Sequence, residues 1–240
     1  MEIDPPAAQP VVIFGGFLSF TMLYRGMRDT LSRISGQPVS IVETRGHDWL
    51  LSVTRAGWVY LLRKLHGTVQ RAIADSATDK VTLVGHSAGG VLARLYLSPN
   101  PLLGNTFRGL DYVSHLITLG SPHQNRGGLT RGGRMSRWID SRHPAAFFTP
   151  QVKYTSVAGK LSYGNRDASS RQERWAYRVY REIGGEGAVW GDGLIPLESA
   201  LLSGSHQIVL GGVGHFSGFG SHWYGSQEVI PLWWNKIVPL

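Results

Sequence analysis

Cysteine is absent from all 240 residues. That excludes disulfide staples, thiolate nucleophiles and cysteine-based metal sites, and it suits a reducing compartment. Long apolar runs are missing too: no stretch reaches the roughly 20 apolar residues that span a bilayer. Acidic residues are scarce, 16 against 24 Lys and Arg, for a formal net charge of +8. Met1 to Pro10 is acidic and proline-rich, with neither the basic nor the apolar region of a secretory signal. The nine histidines and the carboxylates show no metal-ligand spacing, so neither metal nor cofactor is expected. Gly15-Gly16 lacks the third glycine and later acidic residue of a dinucleotide site, and there is no Gly-Lys-Ser/Thr loop.

What is present fits a soluble, cytoplasmic globule. Apolar residues make up 42% of the chain and eight are tryptophan, enough to build one core over residues 1–240. Short β-rich runs alternate with helical patterns. Val11–Phe14, Val39–Val42, 81–84, Tyr112–Leu119, Val152–Val157 and Gln207–Leu210 read as strands. Phe20–Ile34, with Leu23, Met27, Leu31 and Ile34 at helical spacing, reads as a helix, and Arg55–Ala74 reads as an amphipathic helix. Val229 to Val238 would cover a sheet face. Such alternation predicts an α/β fold, a mostly parallel sheet with helices on both faces. Two Gly/Arg-rich segments, 123–150 and 160–190, break the rhythm after strand ends and are expected to form a small lid over the site.

Both segments carry the positive charge: Arg126, Arg131, Arg134, Arg137 and Arg142, then Arg166, Arg171, Arg174, Arg178 and Arg181, interleaved with Trp138, Phe147, Phe148, Trp175 and Tyr177. Basic and aromatic residues together suit an anionic lipid surface at least as well as single-stranded nucleic acid. A solvated basic surface is the plainer alternative. Peripheral membrane contact is the partner expected; nucleic acid is not.

The chemistry centres on Val81-Thr82-Leu83-Val84-Gly85-His86-Ser87-Ala88-Gly89-Gly90. A strand runs into Gly-x-Ser-x-Gly and a helix-compatible stretch follows, which places a serine at the apex of a tight turn. The apex backbone is strained, and glycines two positions either side let strand and helix pass closely. A serine hydroxyl is a poor nucleophile unless a histidine takes its proton and a carboxylate steadies the imidazolium.

Chain order on such a sheet favours Ser, then Asp or Glu, then His. Asp192, in Gly191-Asp192-Gly193-Leu194-Ile195-Pro196, is the preferred acid over Asp140 and Asp167, which lie among arginines. His215, in the glycine-rich loop after the last strand, is the preferred base; His222 is the runner-up, and His206 sits at the wrong strand end. An oxyanion hole needs two backbone N–H groups, assigned to Ala88 and, in the turn after the first strand, Phe17. Gly16, His86 and His123 are expected to line the substrate site. His47-Asp48 reads as a turn or wall.

With these motifs assembled, the chain resembles the α/β-hydrolase superfamily and its lipase-like branch. Gly85-His86-Ser87-Ala88-Gly89-Gly90 is similar to a lipase nucleophile elbow. Ile117-Thr118-Leu119-Gly120-Ser121-Pro122-His123 is similar to a strand-end segment of bacterial triacylglycerol lipases and inositol-deacylase-like proteins. Gly191 to Pro196 looks like their acid turn, and Val213-Gly214-His215 like their histidine loop. Gly15-Gly16 stands where such lipases often carry His-Gly. The expectation is a serine carboxylic ester hydrolase acting on membrane lipid acyl esters. An acyltransferase or thioesterase with the same triad, or a catalytically silent binding protein, is the alternative.

Overall fold

The computed structural model describes residues 9–17, 19–127 and 131–237, with backbone alone for Arg131 and Gly132. The acidic N-terminal residues 1–8, lid positions 128–130 and Val238 therefore lie outside the described residues.

Alternating apolar runs build one six-stranded sheet. In chain order its strands begin with β1 (Val11–Phe14), β2 (Val39–Ile41), β3 (Val81–His86), β4 (Val113–Leu119) and β5 (Lys153–Lys160). A small antiparallel ladder of β6 (Ser162–Tyr163) and β7 (Trp190–Gly191) comes before the last strand, β8 (His206–Gly211). The spatial order is β2-β1-β3-β4-β5-β8, and every neighbouring pair is parallel. A two-residue parallel ladder of β9 (Val213–Gly214) and β10 (His222–Trp223) follows.

The period-two pattern of β1 divides the core. Val12 and Phe14 face a layer made by α2 (Arg55–Ala74) and α3 (Ala88–Tyr96), through residues such as Leu61, Leu65, Val91 and Leu92. Val11 and Ile13 face the other layer, where α1 (Arg25–Ser35) contributes Met27 and Leu31. Both faces are thus covered, which is why the central strands are apolar almost throughout. Helix ends follow local chemistry. The Thr54 hydroxyl accepts from the Gly57 N–H at the start of α2, and α1 stops at Gly36 with φ 67°. No described helix is long and apolar enough to cross a membrane.

The two inserts are more ordered than the composition suggested. The first holds α4 (Arg131–Asp140), whose Met135 and Ile139 join the α2/α3 layer. The second holds α5 (Arg171–Gly184), capped by the Ser170 hydroxyl and ended by Gly185 at φ 86°. A short α6 (Leu197–Ala200) follows the acid turn, and α7 (Ile230–Trp234) seats Trp233 and Trp234 against the β1 face.

Candidate active site

Ser87 sits between β3 and α3 with φ 54° and ψ −129°, a backbone region that costs a non-glycine residue energy. The flanking glycines are steric necessities. A Cβ on Gly85 would strike the Gly90 backbone, and one on Gly89 would strike the carbonyls of Phe14 and Gly15. The turn is held by its Ser87 N–H donating to the Leu119 carbonyl at 2.9 Å.

The Ser87 Oγ lies 2.9 Å from His215 Nε2, and His215 Nδ1 lies 2.8 Å from Asp192 Oδ2. His215 and Asp192 are buried, at 3% and 1% exposure. A carboxylate can only accept, so Nδ1 carries the proton and Nε2 is free to accept from the serine. Asp192 is fully engaged: its Oδ1 accepts from the N–H groups of Leu194 (3.0 Å) and Ile195 (2.6 Å). Its Oδ2 also accepts from the Tyr224 hydroxyl at 2.8 Å. The main chain adds a further tie, because the His215 N–H donates to the Asp192 carbonyl at 2.9 Å.

Ala88 opens α3, so its N–H has no intrahelical acceptor and points out of the helix N-terminus beside Ser87. On the opposite side the turn after β1 presses against the serine. A Cβ on Gly16 would stand 2.6 Å from Ser87 Cβ and 3.0 Å from the His86 carbonyl oxygen. The Gly16 N–H is already donated to the Tyr24 hydroxyl at 3.1 Å, so among the described residues of this turn the Phe17 N–H is the next donor in the chain.

A cavity of about 380 Å³ opens over Ser87. Its polar floor is Ser87, His86 and His215, and its apolar walls include Phe17, Leu23, Leu194, Phe216 and Trp223. No Asp, Glu, Lys or Arg among the described residues lines it. The arrangement combines a hydroxyl, an acceptor nitrogen for its proton and an engaged carboxylate at the foot of an apolar slot. Chemically that suits attack on an uncharged acyl carbonyl.

The chain's likenesses agree with this architecture. The PGAP1-like α/β domain family matches residues 60–130, a span that includes β3, Ser87 and β4. No curated protein sequence matches the chain. A gene product of Listeria innocua is similar in structure with a TM-score of 0.57 at 14% identity, covering 97% of this chain and 94% of that one. A protein of Lactobacillus plantarum WCFS1 described as a cell-surface hydrolase gives a TM-score of 0.50 at 12% identity, covering 96% and 92%. The chain has the α/β-hydrolase fold.

Within this α/β-hydrolase fold, several expectations need correction. His123 does not line the cavity. It is fully buried, with Nε2 2.9 Å from the Thr118 hydroxyl and its N–H on the Ser199 carbonyl, so it ties the end of β4 to α6. The 123–150 and 160–190 segments supply no described cavity residue. The first docks on α3 through α4, and the second braces the acid turn from behind: the Tyr180 hydroxyl of α5 accepts from the Gly193 N–H at 2.8 Å. Leu23, read at helical spacing with Met27 and Leu31, instead stands exposed at the cavity, because Thr21–Tyr24 is a 3₁₀ turn ahead of α1.

The rejected acids and bases have other work. Asp140 pairs with Arg94 at 3.0 Å, and Asp167 is exposed on a turn. His222 is exposed beside Ser221, and His206 is exposed at the start of β8. Asp48 accepts from the Arg45 N–H (2.8 Å), Tyr60 (3.1 Å) and Lys64 (3.0 Å), which holds its carboxyl below the usual range despite the opposing effect of burial. Sequence reasoning missed Tyr24, Tyr180 and Tyr224. Each hydroxyl lies far along the chain from the group it serves, and a buried tyrosine looks like any core aromatic until the fold is known.

Proposed function

We propose that the chain is a serine-dependent carboxylic ester hydrolase that works through an acyl-enzyme. The observation that carries this reading is the unbroken line of hydrogen bonds from Ser87 through His215 to Asp192 at the floor of an apolar cavity. In it, Ser87 Oγ attacks the acyl carbonyl carbon while His215 Nε2 takes the hydroxyl proton. Asp192 holds the ring and its charge; the Phe17 and Ala88 N–H groups receive the oxyanion. His215 then returns the proton to the leaving alcohol oxygen, and the acyl group remains on Ser87. Water, losing a proton to His215, attacks the acyl-enzyme; the bond from the acyl carbon to Ser87 Oγ breaks, His215 returns the proton to Oγ, and the acid leaves.

The substrate we assign is a membrane lipid acyl ester. Its support is the wall, apolar and without charge among the described residues, and the large exposed apolar side chains that line it: Phe17, Leu23 and Phe216. Isolated surface apolar residues need no explanation, but three gathered at one cavity do. This rim, and not the arginine-rich inserts, is the reason for the lipid assignment.

The test has two steps. A fluorophosphonate probe should label the wild-type protein and leave Ser87→Ala unlabelled. Long-chain phospholipid vesicles should then be hydrolysed in preference to short soluble esters. Equal labelling of Ser87→Ala would remove the nucleophile, and a preference for short soluble esters would remove the lipid assignment alone.

A further inference from the structure

The residue just before the nucleophile is a buried histidine that the proposed reaction does not use. His86 is 5% exposed, and both its ring nitrogens have partners. Nε2 lies 3.0 Å from the carbonyl oxygen of His215, and Nδ1 lies 2.8 Å from the Tyr24 hydroxyl. The same hydroxyl accepts the Gly16 N–H at 3.1 Å. Tyr24 is 2% exposed.

The direction of every bond follows from donor and acceptor capacity. A carbonyl oxygen only accepts, so His86 Nε2 carries a proton and donates to His215. Burial, with His215 adding to it, holds His86 well below its ordinary pKa, so the ring is neutral and Nδ1 is an acceptor. Tyr24 therefore donates to Nδ1 and has a lone pair left for Gly16. The result is a one-way chain from Gly16 through Tyr24 and His86 to the main chain of His215. It crosses beneath Ser87 and joins the segments on its two sides: the turn that carries the Phe17 N–H and the loop that carries the general base.

We propose that Tyr24 and His86 are positioning residues that hold the oxyanion turn and the histidine loop in register across Ser87. This rests on the ester-hydrolase reading and deepens it. A core tyrosine and a core histidine need satisfied polar atoms, but nothing in that need requires all their partners to lie on the two loops of the reaction centre. Neither ring touches the reacting bond in this scheme. Their effect on rate comes through placement, which matters because small misplacements of donors and bases are costly.

The experiment compares wild type with Tyr24→Phe, His86→Leu, His86→Gln and the double Tyr24→Phe/His86→Leu variant. Ester hydrolysis and fluorophosphonate labelling rate are one readout. The relay predicts that Tyr24→Phe and His86→Leu each lower kcat by about tenfold or more, with KM changed by less than about threefold. The double variant should be no slower than the slower single, since one broken link already uncouples the loops. His86→Gln, whose amide supplies one acceptor and one donor, should recover part of the loss. Additive losses, or a Tyr24→Phe protein as fast as wild type, would overturn the relay. Tyr24→Phe is nearly isosteric, so it keeps the test decisive if His86→Leu does not fold.

The second readout needs no activity. In ¹⁵N-histidine-labelled protein, His86 should show a protonated Nε2 and a bare Nδ1, and Tyr24→Phe should shift the ring signals of His215. A proton on Nδ1, or unmoved His215 signals, would also overturn the relay. The two proposals fail separately: wild type that neither hydrolyses esters nor takes the probe sinks the hydrolase reading, while this spectrum still decides the relay.

Discussion

Tyr224 donates its hydroxyl to Asp192 Oδ2 at 2.8 Å, sharing the oxygen that His215 Nδ1 uses at the same distance. The hydroxyl also accepts from the Gly159 N–H at 2.7 Å. A fully buried carboxylate needs such partners, and this one comes from a residue beyond the base in sequence. Tyr224→Phe removes one charge-assisted bond and orphans a buried N–H, so it should cost about 1–3 kcal/mol in urea denaturation. The proposed ester hydrolysis should slow by roughly 3–10-fold, against a loss on the order of 10⁴ for Asp192→Asn, where the base is left in the wrong tautomer. A Tyr224→Phe protein as impaired as Asp192→Asn would show that this account of the carboxylate is wrong.

Gly16 is a purely steric requirement, since its φ is not in the left-handed region. A methyl group there would stand 2.6 Å from Ser87 Cβ, so turn and nucleophile must separate. Gly16→Ala should reduce turnover by about 100-fold, because the buried turn has to withdraw from the nucleophile it packs against. Wild-type kinetics in Gly16→Ala would mean that the turn is not part of the oxyanion site.

Several buried histidines make stability acid-sensitive. Burial pushes His86 and His123 well below the ordinary histidine value and takes His115 to about 4, where Lys153 also contributes. These rings stay neutral in the folded chain while the unfolded chain takes up protons below about pH 6.5. Stability is therefore fully present above that value and is lost as pH falls toward the folded pKa of each ring. Each ring contributes up to about 1.4 kcal/mol per pH unit to the slope. Urea denaturation at pH 7.5, 5.5 and 4.5 should show a steady loss. A stability maximum near pH 5 would contradict it.

Arg94 is 1% exposed, yet only one of its nitrogens is used: Nη2 donates to Asp140 Oδ1 (3.0 Å) and the His143 carbonyl (2.5 Å). Among the described residues its Nε and Nη1 have no partner. Asp140 is 37% exposed, so the two partners differ in what losing the other does. Asp140→Ala strands a buried charge and should cost about 2–3 kcal/mol, whereas Arg94→Met leaves a carboxylate that water can solvate and should cost less. Denaturant titrations of the two variants decide it, and the reverse order would mean that the guanidinium is a net stabiliser.

Much of this was legible in the chain because its signals are local. β3, its glycines and α3 form one continuous pattern, and Arg55–Ala74 is a helix with the boundaries its periodicity predicts. Asp192 and His215 could be ranked by chain order, and the structure sets His215 beside Ser87 and Asp192 behind His215. The misreadings concern relations between distant segments. Arginine-rich composition says nothing of where α4 and α5 dock, and helical spacing did not reveal that Leu23 precedes the helix proper. A histidine at a strand end reads the same whether it faces a cavity or, like His123, a hydroxyl within the core.

The loop bearing His215 emerges from β8, the outermost strand of the sheet, with β5 as its sheet neighbour, whereas Ser87 emerges from β3, flanked by β1 and β4. Margins are the first places to loosen when a protein is warmed. Thermal inactivation should accordingly set in while the helices and inner strands still give their full circular-dichroism signal, and cooling should restore the function without any need to refold the centre.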